Sequence, residues 1–370
     1  MNYAMLGSTG LKVSRLGFGA MRLPMKDDRV DRELAIPMIH RAFEGGVNYI
    51  DTAVGYCNQD SQRAVGAALK GWRDRIVVST KNPYYGEEEK DWWQNLEDSL
   101  ERLQVDYIDI YNTHGVRWSR YEEHVAPRVS KWLARARDQG LIRHICTSFH
   151  DSNEALRNLI DTGFYASITL QYNMLDRQLE DGMAYAKEKG VGIVVMGPVG
   201  GGRLGTPNPE LEGLVPNISR IPELALRFVL SNPNVTVALS GMSTMQHVEE
   251  NLAVASDERA LDAGERQIIN EQLDRLKEMA DTYCTGCNYC QPCPEEVNIP
   301  RIFKTYNDAR VYGLSDHARR QYARWRERLP DGGMQADACV ECGECEEACP
   351  QNIPIREQLK EAHEYLTAST

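Results

Sequence analysis

Eight times in the first 255 or so residues, a short apolar or β-branched run gives way to an amphipathic helical pattern. Few folds accept that alternation. The strand-like runs lie near 15–23, 47–51, 76–80, 107–111, 142–148, 167–171, 191–196 and 235–240. Helical patterns follow them at about 31–44, 61–71, 91–104, 127–139, 153–161, 178–189, 221–231 and 244–255. In the third of these, Trp93, Leu96, Leu100 and Leu103 recur at spacings of three and four, which makes one apolar face. Nearly continuous apolar strands belong to a parallel sheet covered on both sides. Eight such units predict a closed (β/α)8 TIM barrel. An open doubly wound sheet would want a glycine-rich turn after its first strand, and Gly17-Phe18-Gly19 does not continue into one. Ahead of the barrel, Gly7-Ser8-Thr9-Gly10 reads as a turn between two short strands.

Barrels of this kind keep their chemistry where the strands end. Asp51 closes the second run, Lys81 the third and His114 the fourth, with Tyr56 in the loop after Asp51. A tyrosine hydroxyl ordinarily titrates near 10. A lysine ammonium beside it favours the phenolate and draws it toward the working range. A buried aspartate would keep that lysine charged. A neutral histidine can hydrogen-bond and orient a substrate oxygen. Each residue alone has a plain structural reading; four at the ends of three consecutive strands read as a catalytic tetrad. Tyr84, Tyr85 and Trp118 follow the third and fourth strands and would line an apolar substrate mouth.

Asp51-Thr52-Ala53, Tyr56, Ser79-Thr80-Lys81 and His114 resemble the aldo/keto reductases, and the resemblance runs from Leu6 to Leu252. It implies reversible hydride transfer between NAD(P)H and a small carbonyl or alcohol, with Tyr56 as general acid and base. It places Ser148, His150 and Gln171 on the nicotinamide carboxamide, although the family usually has asparagine where His150 stands. Met196 takes the position of a stacking tyrosine, and a methionine can pack on an aromatic ring. The glycine-rich turns after strands seven and eight would hold the rest of the nucleotide through Pro198, Gly200, Gly241, Ser243, His247 and Asn251. Ser243 with Gln246 also fits a helix capping box. Relatives that prefer NADPH grip its 2′-phosphate with Arg or Lys here; this chain offers only His247 between Gly241 and Asn251, which leans to NADH.

Of the ten cysteines, eight fall between Cys284 and Cys349. Cys339, Cys342, Cys345 and Cys349-Pro350 follow the spacing of bacterial 4Fe–4S ferredoxins, and Cys284, Cys287, Cys290 and Cys293-Pro294 nearly repeat it. Zinc ribbons use pairs rather than runs of four. In two-cluster ferredoxins the fourth cysteine of each run serves the other cluster. One 4Fe–4S cluster is therefore expected on Cys284, Cys287, Cys290 and Cys349, and a second on Cys339, Cys342, Cys345 and Cys293. The tail resembles the ferredoxin domain appended to one branch of the aldo/keto reductases, so the expected division is a barrel over 1–280 and a small α-helical ferredoxin-like iron–sulfur domain over 281–370. Cys57 and Cys146 read as small hydrophobes.

The net charge of −12 argues against nucleic acid as the main partner. No run is long and apolar enough for a membrane helix, and no secretory leader precedes Gly10, so a cytoplasmic protein is expected. Residues 299–330 are basic and could dock an acidic electron carrier such as ferredoxin or flavodoxin. The alternative function is an electron-transfer or redox-sensing protein whose barrel binds nucleotide with little turnover.

Overall fold

The computed structural model describes residues 1–205, 211–257, 259–278, 284, 290–310, 313–325, 333–349 and 353–368. They group into two compact units, Met1–Gly202 with Pro222–Ala263, and Arg203–Ile221 with Gly264–Thr370.

In the first unit the strands are β1 (Leu16–Gly19), β2 (Tyr49–Asp51), β3 (Val77–Asn82), β4 (Ile108–Val116), β5 (Ile142–Phe149), β6 (Ser167–Gln171), β7 (Gly192–Met196) and β8 (Val237–Gly241). Neighbours pair in parallel and in sequence order, and β8 returns to β1 to close the barrel. The helices between them are α1 (Arg32–Glu44), α2 (Ser61–Ala68), α3 (Glu89–Leu103), α4 (Ser130–Asp138), α5 (Asn153–Asp161), α6 (Glu180–Glu188), α7 (Ile221–Ser231) and α8 (Met245–Ser256).

The expected hairpin, Tyr3–Met5 against Lys12–Ser14, stops one end of the barrel. Its Leu6 and Val13 join Tyr49, Ile110, Val194 and Val237 in one fully buried cluster. The turn passes close beneath β7: Gly7 has φ +51°, and a Cβ there would lie 2.4 Å from the Gly192 nitrogen. Only glycine meets both demands.

Two helices differ from their sequence patterns. Helix α3 buries Trp92, Leu96, Ser99 and Leu103, leaving Trp93 and Leu100 half-buried. Trp92 wins the interior because its ring meets both Tyr111 and Trp132, with centroids 6.0 and 6.1 Å away. The helix expected from 127 begins instead as a π-helical stretch, Tyr121–Val129, before α4. Pro127 lies inside that stretch and has no N–H to give, which the wider winding accommodates.

The second unit is helical. Helices α9 (Ala263–Glu278), α10 (Ile299–Arg310), α11 (Ser315–Ala323) and α12 (Ile355–Thr367) are its main elements. Phe303, Tyr306, Tyr322, Trp325 and Leu359 centre its core. Cys284, Cys290, Cys293, Cys339, Cys345 and Cys349 pack against that core. Among the described residues, no helix is long and apolar enough to cross a membrane.

Candidate active site

Strand register puts the tetrad together. Asp51 stands opposite Ser79, and Lys81 opposite Asn112. Asp51 and Lys81 are almost wholly buried, and Lys81 Nζ donates to Asp51 Oδ2 at 2.5 Å and to the Thr52 carbonyl at 2.9 Å. Ser79 Oγ donates to the other Asp51 oxygen at 2.8 Å, and Asn112 Nδ2 donates in turn to Ser79 Oγ at 3.1 Å. Burial opposes the charge on Lys81, but Asp51 and Tyr56 outweigh it and its pKa is raised. The ammonium is therefore fixed and permanent.

Tyr56 stands over that ammonium, with Lys81 Nζ 4.9 Å from its ring centroid. The following Cys57, Asn58 and Gln59 all have left-handed φ, at 51, 53 and 66°. Such backbone is costly for residues with side chains and collects at functional sites. The tyrosine departs from the expected direction: burial raises its pKa above the ordinary value, and the pull of Lys81 does not offset it. It is a protonated phenol at neutral pH.

His114 lies in an irregularity between Thr113 and Val116, where β4 shifts register against β5. Gly115 permits this with φ +73°. Bulges next to active sites re-aim side chains. Here the imidazole stands edge-on to Tyr56, ring centroids 6.4 Å apart. Burial, then Lys81, His150 and Arg120, lower its pKa to about 4. His114 is neutral, as its proposed role requires.

Around the rim, Ser148 is buried and accepts the Gly115 N–H at 2.7 Å, so its own hydroxyl hydrogen is free to point elsewhere. Gln171 gives its amide nitrogen to Asp176 Oδ2 at 3.0 Å. An ionised carboxylate only accepts, so the Gln171 oxygen must face away from it. A hydroxyl donor and an amide acceptor match the two ends of a primary carboxamide. His150 is exposed after β5, while Met196 is half-buried and pairs in register with Gln171. Pro198 and Gly200 are buried in the turn after β7.

After β8, Gly241 is half-buried and Ser243 and His247 are exposed, with Ser243 Oγ 3.4 Å from His247 Nδ1. The cap of α8 is Thr244, not Ser243: its side chain accepts the His247 N–H at 3.2 Å. Asn251 turns back to the strand and donates to Ser240 Oγ at 2.9 Å.

In the second unit Cys290 and Cys293 share one cavity with Cys339, Cys342 and Cys345. First-run Cys293 therefore faces the three cysteines with which it was grouped, and Cys290, assigned to the other cluster, borders the same space. Cys287 lies outside the described residues. Among the described residues, no three His, Cys, Asp or Glu side chains gather as ligands of a single ion. A cubane takes one thiolate per iron, so thiols spread around a cavity on an apolar floor fit it.

A family model for the aldo/keto reductase family matches residues 15–214. The chain belongs to that family. A second model, a 4Fe-4S dicluster domain, matches residues 283–353. L-galactose dehydrogenase of Arabidopsis thaliana is 30% identical over 69% of this chain and 88% of its own length. NADH-specific methylglyoxal reductase of Escherichia coli is 29% identical over 67% of this chain and 91% of its own. The holo form of an aldo-keto reductase from Bacillus halodurans superposes with a TM-score of 0.63, at 31% identity, covering 74% of this chain and 96% of that one. This aldo/keto reductase is thus an oxidoreductase with a 4Fe–4S domain.

One reductase residue was not singled out in the sequence. Arg22, in the loop after β1, donates to the Gly201 carbonyl at 3.1 Å. Its stem passes Gly241, where a Cβ would meet Arg22 Cδ at 3.3 Å. It bridges the two glycine-rich turns. A lone arginine after a first strand carries no motif; the direct strand order, with β8 beside β1, is the only signal that could have found it. Near the substrate side, Tyr85 donates to the His114 carbonyl at 2.6 Å, and Trp118 stacks on Tyr121.

Proposed function

We propose that this reductase interconverts a carbonyl and an alcohol with a nicotinamide cofactor, Tyr56 giving and taking the proton. The observation that carries the reading is the placement of Tyr56 over the Lys81 ammonium and edge-on to the His114 imidazole. The cofactor, when bound, supplies or accepts the hydride at the carbonyl carbon. His114 donates a hydrogen bond to the carbonyl oxygen and orients it. Tyr56 passes its proton to that oxygen, and Lys81 stabilises the phenolate left behind. Asp51 holds Lys81 in place and charged. In oxidation the phenolate takes the alcohol proton. Ser148, His150 and Gln171 are assigned to the carboxamide and Met196 to the ring face. Pro198, Gly200, Gly241, Ser243, His247 and Asn251 are assigned to the rest of the nucleotide, joined by Arg22. NADH is the favoured form, which agrees with the name of the Escherichia coli relative.

The tail is assigned two 4Fe–4S clusters, on Cys284, Cys287, Cys290 and Cys349 and on Cys339, Cys342, Cys345 and Cys293. Of its basic residues, Arg301, Arg310 and Arg319 lie over the rings of Trp325, Tyr306 and Tyr365 and serve packing. Exposed Lys304, Arg320 and Arg324 are left to dock an acidic electron carrier.

Tyr56→Phe tests the catalytic assignment. Carbonyl reduction should fall by about a thousandfold with nucleotide affinity retained. Unchanged turnover would end the assignment of Tyr56, whereas a wild-type protein that binds nucleotide but shows no turnover would favour the redox-sensing alternative.

A further inference from the structure

We infer that the carbonyl substrate carries a carboxylate, which Arg120 receives beside His114; this rests on the carbonyl-reductase reading of the same site. Arg120 ends the short helix Trp118–Arg120 that follows β4. Its NH1 donates to the carbonyl of Gly115, next to His114, at 3.0 Å. Its guanidinium lies 4.6 Å from the centroid of the Tyr85 ring, and Tyr85 is itself hydrogen-bonded to the His114 carbonyl. Two elements of the site's wall therefore hold this cation in place.

The guanidinium is exposed, and among the described residues no carboxylate pairs with it. The nearest acids in sequence, Glu122 and Glu123, are exposed on the π-helical stretch that follows, and neither is paired with Arg120. Asp151 accepts the backbone N–H groups of Trp118 and Ser152 at 2.9 and 2.8 Å, and Glu123 stands 3.7 Å from His124. Bonds to the Gly115 carbonyl and the Tyr85 hydroxyl leave part of the planar donor fork available, and that fork matches a carboxylate in two-point contact. His114 feels both Arg120 and His150, and His150 in turn feels Arg117. In a chain of net charge −12, Arg117 and Arg120 thus set positive charge beside His150 and His114. Such a patch attracts an anion and repels a cation. The substrate class is a short oxo acid, or the hydroxy acid in the reverse direction, with its carbonyl at Tyr56 and His114 and its carboxylate at Arg120.

The test compares 4-oxobutanoate with its methyl ester, in the wild-type protein and in Arg120→Leu and Arg120→Lys. The wild type should prefer the free acid in kcat/KM. In Arg120→Leu the acid-to-ester ratio should fall about tenfold, through KM of the acid, with partial recovery in Arg120→Lys. An unchanged ratio with measurable turnover overturns the inference while leaving the reductase reading intact. If neither aldehyde oxidises the nicotinamide, the anion site is decided by succinate titration of tryptophan fluorescence. Saturable quenching in the wild type that Arg120→Leu lacks supports the site; identical titrations reject it.

Discussion

Lys81 Nζ lies 2.5 Å from Asp51 Oδ2, in a pair from which solvent is almost excluded. Removing one member of such a pair strands the other as an uncompensated buried charge, at about 3–5 kcal/mol, whereas replacing both by apolar groups is often close to neutral. Lys81→Met should therefore lose about 3–5 kcal/mol in urea unfolding, and Lys81→Met with Asp51→Leu should recover most of it. Both proteins should be inactive. Equal instability of the single and double variants would show that the pair is not what holds this end of the barrel together.

The pH behaviour follows from His114, whose pKa is lowered from 6.5 to about 4. In the unfolded chain the imidazole takes up a proton near 6.5, while in the fold it resists until about 4. The unfolded state then binds more protons between those values, so stability falls as pH drops through that window. Reduction should show no inflection near 6.5. His114→Gln should lessen the loss of stability between about pH 7 and about pH 5, read from urea midpoints. A reductase activity that rises or falls through 6.5 in the wild type, and not in His114→Gln, would contradict a neutral His114.

The barrel and the tetrad were legible because they depend on order along the chain. Apolar runs mark strands, the residue that ends each run sits at the rim, and consecutive parallel strands place Asp51, Lys81 and His114 side by side. What the sequence did not disclose depends on dihedral angles and on competing magnitudes. Pro127 winds the segment before α4 into a π-helix. Thr244 rather than Ser243 takes the extended cap conformation, with φ −140° and ψ 157°. The sign of the Tyr56 shift is a contest between burial and the Lys81 charge, and the depth of burial is a property of the folded loop. Arg22 meets Gly201 and Gly241 only once the sheet has closed on itself.

Ser243 and Thr244 can be separated by experiment. Thr244 caps α8 through the His247 N–H, so Thr244→Ala should cost about 1 kcal/mol of stability. Ser243 is exposed and makes only a long contact with His247. Ser243→Ala should leave the unfolding midpoint in place and weaken nucleotide binding roughly five- to tenfold by titration calorimetry, if its hydroxyl meets a phosphate. A stability loss without an affinity loss would return Ser243 to the role of a cap.

The cysteine cavity makes its own prediction. Cys293 comes from the first run but borders the same space as Cys339, Cys342 and Cys345 from the second. If its thiolate completes their cluster, Cys293→Ser should lower iron and acid-labile sulfide together and diminish the EPR signal of the reduced protein. Cys57→Ser and Cys146→Ala are the controls. Cys146 is fully buried in the barrel, and Cys57 sits beside the Ala20 and Met21 carbonyls; both variants should keep their iron. Because metal ligation and folding are coupled, iron loss should also lower the stability of the second unit more than that of the barrel. Limited proteolysis would read this as preferential cleavage after residue 264. Full iron and sulfide content in Cys293→Ser would refute the crossed ligation and assign the fourth iron to another group.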